Sequence, residues 1–225
     1  MISRDIPNME KIDFRNQFSW RIFRIMSEFI EGFQFLADLN KEVTIFGSAR
    51  FKSNNPHYKE ARQLGKILGK AGFTVITGGG PGIMEAANRG AFEAKAPSVG
   101  LNIQLQKEQR VNKYVTKSIG FYYFFTRKVM LSFASQAYVY FPGGFGTLDE
   151  FFELVTLIQT KKISSDIPVI MIGKDFWSPL VEYIKNNVYG KHRAVNIKDL
   201  KIFHLVETAE EAYEIIKKTH DNKNS

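Results

Sequence analysis

Residues 137–159 read AYVYFPGGFGTLDEFFELVTLIQ. Ala137 to Phe141 form a short apolar run rich in aromatic and β-branched residues, which predicts a strand buried on both faces. Pro142-Gly143-Gly144-Phe145-Gly146 ends it. From Thr147 to Gln159 the apolar residues recur at helical spacing. Strand, glycine turn and helix in direct succession are one half of a βαβ unit.

The same succession recurs upstream. Val43 to Phe46 runs into Gly47-Ser48 and a helix from Tyr58 to Ala71, closed by Gly72. Thr74 to Thr77 runs into Gly78-Gly79-Gly80 and a helix from Gly82 to Ala94. Ser98 to Ile103 predicts a third strand, Gln104 to Lys113 a polar loop and Val115 to Ile119 a fourth strand. Thr126 to Ser135 predicts a helix ahead of the strand at Ala137. Downstream, Val169 to Ile172 and Phe203 to Val206 predict strands, Pro179 to Asn187 and Thr208 to Lys218 helices, and Asp221 to Ser225 a frayed end. Alternation of this kind implies a Rossmann-like α/β fold. It should have a sheet of about seven strands, mostly parallel, with helices on both faces.

Two segments follow: an N-terminal helical extension over 1–40 and the α/β domain over 41–225. In the extension Phe14, Phe18, Ile22, Ile25, Phe29, Phe33 and Leu36 recur at steps of three and four. Trp20, Phe23, Ile30 and Phe35 make a second apolar face. A helix apolar on two sides calls for two partner surfaces, one being its own domain and the other a second subunit or, less favoured, a membrane surface; packing on its own domain alone is the plainer alternative.

Composition narrows the function. The chain has 225 residues, 44% hydrophobic, enough for a full core. It has no cysteine, which excludes a disulfide scaffold, a thiolate metal site and a cysteine nucleophile. The four histidines are scattered, without metal-ligand spacing. Arg15, Arg21, Arg24, Glu28, Glu31 and Asp38 interrupt the apolar N-terminal stretch. No membrane span or signal core is therefore expected, and the chain reads as cytoplasmic. A net charge of +8 suits a phosphorylated small molecule, although surface solubility alone would account for it. It would also suit nucleic acid, but the aromatics fall at core spacing, so nucleic-acid binding is not expected.

In parallel sheets ligands bind at the carboxyl ends of the strands. Three such ends carry glycine: Gly47-Ser48, then Gly78-Gly79-Gly80 with Gly82 and Met84, then Gly143, Gly144 and Gly146 with Thr147. Glycine lets the backbone approach an anion, and the free N–H groups of the following helix point at it. The turns alone would explain one such loop but explain three together poorly. No Gly-Lys-Ser/Thr follows them, which excludes a P-loop, and G-x-G-x-x-G is absent after the first strand. Glu150 lies three residues after Thr147, the spacing of a capping box. Arg127-Lys128 is read at a helix start, where a cation opposes the dipole.

Pro142-Gly143-Gly144-Phe145-Gly146-Thr147-x-x-Glu150, Gly78-Gly79-x-x-Gly82-x-Met84 and the Arg127-Lys128 pair together resemble the LOG ("Lonely Guy") family, long labelled lysine decarboxylase. The resemblance covers about Val43 to Thr219. It implies a phosphoribohydrolase that cleaves AMP or N6-modified AMP to free base and ribose 5-phosphate. Arg127 and Glu150 would be catalytic. Gly47, Ser48, Gly78, Gly79, Gly80, Gly82, Met84, Lys128, Gly143, Gly144, Gly146 and Thr147 would hold substrate. No cofactor or metal is implied, and a homodimer or larger assembly is. Glu85 and Phe125 depart from shorter members, and the extra N-terminal helix is similar to a longer bacterial subgroup. The rival reading is a carrier or sensor of a nucleotide or phosphorylated cofactor, without turnover.

Overall fold

The computed structural model describes residues 18–104 and 111–223. Phe14 and the loop residues 105–110 lie outside the described residues. Seven strands form one sheet: β1 (Glu42–Phe46), β2 (Thr74–Thr77), β3 (Ser98–Ile103), β4 (Lys117–Phe121), β5 (Ala137–Tyr140), β6 (Val169–Ile172) and β7 (Phe203–Val206). The order is β4-β3-β2-β1-β5-β6-β7, and every pairing is parallel. The chain winds outward from β1 to one edge, then returns to β5 at the centre and winds to the other edge. β1 and β5 therefore border the switch point, where the crevice of such sheets opens.

Alternation along the strands supplies two apolar layers. Val43, Ile45, Val75, Val139 and Ile170 pack with Leu64, Leu68, Ala87 and Ala212, residues of α2 (Pro56–Lys70), α3 (Ile83–Glu93) and α7 (Ala209–Lys223). Phe46, Ile76, Leu101, Tyr140 and Met171 pack on the other face with Met130, Phe151 and Trp177. Those three come from α4 (Phe124–Phe133), α5 (Phe145–Gln159) and α6 (Lys174–Tyr183). On this second face α1 (Phe18–Ala37) lies against α4 and β4.

Local signals set the helix ends. Asn55 caps α2, its Oδ1 accepting the His57 N–H at 2.8 Å, and Pro56 takes the first helical position, where its missing N–H is harmless. The α6 helix departs from the sequence reading. It starts at Lys174 rather than Pro179, so the proline is internal. Burial outweighs that proline: Trp177 is fully buried against Phe151, and its backbone N–H donates to the Gly173 carbonyl at 3.1 Å. A π-helical turn, Ile184–Lys191, continues α6, and a 3₁₀ turn, Ile197–Lys201, precedes β7. The fourth strand sits two residues later than its pattern, and α7 runs through Asp221 to Lys223 instead of fraying.

The Trp177 indole N–H is buried with no acceptor. Trp177→Ala should lower unfolding free energy by about 3–5 kcal/mol. Trp177→Phe should lower it by clearly less, because it keeps an aromatic ring against Phe151 while removing the unpaired donor. Urea unfolding of both variants measures the difference.

Candidate active site

The carboxyl ends of β1, β2 and β5 meet over the switch point in an open cleft of roughly 860 Å³. That lies within the ~300–1,000 Å³ usual for small-molecule sites. The loops around it are tied together. Ser48 N–H donates to the Pro142 carbonyl at 3.0 Å, and Ile83 N–H donates to the Ser48 carbonyl at 2.9 Å. The β1 loop is thus fixed to the loops after β5 and β2.

The loop after β5 enters α5 with Gly144 at the cap position and no side-chain cap. The helix starts at Phe145, so Thr147 lies inside its first turn. The capping-box reading of Thr147 and Glu150 does not hold. Thr147 is buried, and its side chain occupies the space that a Cβ at residue 143 would need, so Gly143 is required by close approach. Gly143, Gly144, Phe145, Gly146 and Thr147 all line the cleft.

Arg127 and Glu150 face this cleft from α4 and α5. Arg127 Nε donates to the carbonyl of Leu101 in the second half of β3, 2.7 Å away, and the guanidinium lies against Gly78. Burial lowers the Arg127 pKa, and the Glu150 carboxylate opposes that. Burial raises the Glu150 pKa to about 7, and the Arg127 charge holds it from going higher. The hydroxyl of Tyr140, on the strand beneath, donates to the Glu150 carbonyl at 3.2 Å.

Gly47, Ser48, Gly78 and Met84 also line the cleft. Gly79, Gly80 and Gly82 do not. Gly79 and Gly82 carry positive φ (70° and 71°), and the Asn112 amide donates to the Gly79 and Gly80 carbonyls at 3.2 and 3.0 Å. These three glycines shape the loop rather than touch the opening. Lys128, expected at the ligand, turns instead to the acidic face of α5. Its Nζ lies 2.8 Å from Asp149 Oδ2 and 3.1 Å from Glu153 Oε2. Glu85, where the sequence departs from shorter relatives, accepts from the Tyr58 hydroxyl at 2.9 Å, outside the cleft.

Sequence reasoning missed the aromatic rim. Phe46, Phe51, Phe124, Phe145 and Phe176 line the cleft, and Phe145 is 93% exposed. Aromatics at regular spacing carry the pattern of a core. For Phe145 the surrounding glycines were the available signal, since a turn between them holds nothing to bury it.

These features define a Rossmann-like α/β protein whose cleft is lined by glycine loops together with a half-buried arginine and a half-buried carboxylate. The family model described as "Possible lysine decarboxylase" matches residues 84–216, more than half of the chain, and the chain belongs to that family. An uncharacterized protein of Archaeoglobus fulgidus is 29% identical over 115 residues, 51% of this chain and 74% of that protein. Among solved structures, the protein TM1055 is 25% identical with a TM-score of 0.61, covering 80% of this chain and 99% of that one. The molybdenum cofactor binding protein of Rippkaea orientalis is 23% identical with a TM-score of 0.59, covering 79% and 94%. The molybdenum cofactor carrier protein of Chlamydomonas reinhardtii is 22% identical with a TM-score of 0.60, covering 81% and 99%. The last two share the fold with this chain.

Glu150 gives the fold a pH signature. Its folded pKa of about 7 lies above the ordinary 4.5. Between those values the folded chain holds a proton that the unfolded chain releases. Its contribution is therefore complete below pH 4.5 and is lost as pH rises through 7. Glu150→Gln should be more stable than the native protein at pH 8, by up to about 3 kcal/mol, with the gap closing at pH 4.5. Chemical unfolding at the two pH values reads the sign.

Proposed function

We propose that the protein is a phosphoribohydrolase acting on adenosine 5′-monophosphate or its N6-modified forms. The observation that carries this reading is the Arg127–Glu150 pair facing a cleft bordered by the α5 N-terminus. The free N–H groups of the first α5 turn suit a 5′-phosphate, and the helix dipole adds to their attraction. The phenylalanine rim offers faces on which a purine can stack. A phosphate held at that loop supplies binding energy remote from the bond that breaks.

Cleavage of the ribosyl–nitrogen bond builds positive charge on the sugar, as in glycoside hydrolysis. The Glu150 carboxylate faces that charge and takes a proton from the attacking water. The water's hydroxyl ends on C1′ of the ribose. Its proton, relayed through Glu150, ends on the departing base. A pKa near 7 suits a group that accepts and then returns a proton at neutral pH. Arg127, held at Nε by the Leu101 carbonyl, keeps its terminal nitrogens for the ribose hydroxyls and for Glu150.

A decarboxylase of the kind that the family's description suggests would need a Schiff-base lysine. No lysine lines the cleft among the described residues. The second reading is a carrier of a phosphorylated cofactor, which would use the same loop. Two of the structurally similar proteins are molybdenum-cofactor proteins. The reading as a hydrolase is favoured because Glu150 is kept against its desolvation, which a carrier does not require. Among the described residues no helix is long and apolar enough to cross a membrane, and a cytoplasmic site of action is part of the proposal.

The proposal includes self-association through α1. Trp20, Ile22, Phe23, Met26, Ile30 and Phe33 are exposed on it, beside exposed Phe133 of α4. A lone monomer rarely presents such a face. Arg21 and Arg24 lie toward one end of the helix and Glu31 toward the other. A second copy laid antiparallel would match arginine with glutamate under two-fold symmetry.

Incubation of the purified protein with AMP and with N6-isopentenyl-AMP should release free base and ribose 5-phosphate, separable by chromatography. Arg127→Ala and Glu150→Gln should each lower kcat by about 10²–10⁴-fold. No base from either nucleotide, with tight nucleotide binding retained, would shift the assignment to the carrier. In analytical ultracentrifugation the native chain should sediment as a dimer or larger. Phe23→Glu combined with Ile30→Glu should reduce it to a monomer with an unchanged circular dichroism spectrum.

A further inference from the structure

The helix that carries Arg127 has no cap of its own. Tyr123 stands at the α4 cap position and its side chain makes no capping bond. A helix start left bare in this way leaves N–H groups without acceptors. Glu28, in the middle of α1, accepts one of them, that of Tyr123, and also the N–H of Tyr122 just before the helix and the Thr126 hydroxyl in its first turn. Its Oε1 accepts the Tyr122 N–H at 2.8 Å, its Oε2 accepts the Tyr123 N–H at 3.3 Å, and the Thr126 hydroxyl lies 2.5 Å from Oε2. Glu28 is 8% exposed, a degree of burial that carboxylates reach only with partners.

The neighbours of Glu28 hold the same turn. The Arg24 guanidinium lies 3.8 Å over the Tyr122 ring, and Arg21 lies 6.0 Å over the Tyr123 ring. Gly32 seats α1 against Met130 and Phe121. The held turn leads directly into the cleft. Phe124 lines it, and the Arg127 N–H bonds back to the Tyr123 carbonyl at 3.3 Å. The backbone unit that gives its N–H to Glu28 is thus next to the one that starts the helical turn of Arg127.

We propose that Glu28 is a positioning residue of the site: it clamps the turn that starts α4 from another helix and so fixes where Arg127 stands relative to Glu150. This makes α1 part of the reaction machinery as well as a surface for a second copy. The inference rests on the reading of Arg127 and Glu150 as the reacting centre. A carboxylate placed at the positive end of α4 also favours the helix electrostatically.

The test uses the full chain with Glu28→Gln and Glu28→Asp, followed by hydrogen exchange and by AMP turnover. In Glu28→Gln, exchange across 122–130 should quicken about tenfold or more while β1, β2 and α2 keep their protection. Its kcat should fall about ten- to a hundredfold with KM nearly unchanged, because the phosphate loop is untouched. Glu28→Asp should recover part of both. Should Glu28→Gln fail to fold, Thr126→Val, which removes one of the three partners, should give smaller changes in the same direction. Unaltered protection over 122–130, or lost protection with native kcat, would overturn the proposal. If the native protein releases no base from AMP, the reading as a hydrolase fails instead. The exchange comparison then decides Glu28 alone, its loss of protection retaining the clamp and its absence removing it.

Discussion

A guanidinium and a carboxylate share the lining of one cleft, and each is displaced from its ordinary acidity by burial. Desolvation pulls Arg127 down and Glu150 up, and each charge resists the shift of the other. An unpaired charge in such a place would be strongly destabilising, so the geometry of the pair has to be fixed by the fold around it. That requirement organises the architecture. Arg127 is held at Nε by a carbonyl of β3, while Glu150 rises from α5 on the far side of the switch point. The two elements belong to opposite halves of the sheet, and parallel pairing of β1 with both β2 and β5 keeps the halves in register.

The surrounding loops carry the same logic outward. A β1 loop bonded to Pro142, and an α3 start bonded to Ser48, lock three strand ends into one rim. Lys128 is withdrawn from that rim by Asp149 and Glu153. Its charge strengthens the joint between α4 and α5, with Arg127 the cation that lines the cleft from α4. A flexible ammonium at the mouth would compete for the phosphate without orienting it, whereas a planar, fixed guanidinium orients what it holds.

Much of this fold was legible in the sequence because the central strands are short, apolar and bounded by glycine. Val43–Phe46, Thr74–Thr77, Ser98–Ile103 and Val169–Ile172 stand where their patterns put them, to within a residue. The fourth strand was misplaced because it lies at the sheet edge, where exposed Lys117 and Ser118 blur the alternation. The start of α6 was misread because Pro179 resembles a first-turn proline, while the deciding force, burial of Trp177 against α5, is tertiary. At the site, the glycine loops and the motif ending at Glu150 were readable as local chemistry. Glu28 was not, since its partners lie 94 to 98 residues away and nothing in a helical charge pattern marks one glutamate as inward. The phenylalanine rim was hidden for the opposite reason: aromatic residues follow the same spacing whether they face a core or a cleft.

The two functional readings make different demands on these residues. A carrier of a phosphorylated group needs the loop after β5, the α5 N-terminus and a surface on which to rest the remainder of its ligand. It gains nothing from a desolvated carboxylate, which weakens the folded state increasingly as pH rises above its unfolded pKa and repels a phosphate when ionised. Hydrolysis does gain from it. The sugar becomes cationic only as the bond breaks, so a carboxylate facing it acts more strongly on the transition state than on the bound nucleotide. On the hydrolase reading Arg127 would serve both stages, drawing an anionic nucleotide in and, as its charge already does, limiting the rise of the Glu150 pKa. A stability sacrifice concentrated on one carboxylate, beside a cation held rigidly enough to limit it, is what the proposed turnover calls for, and it supports that reading over the carrier.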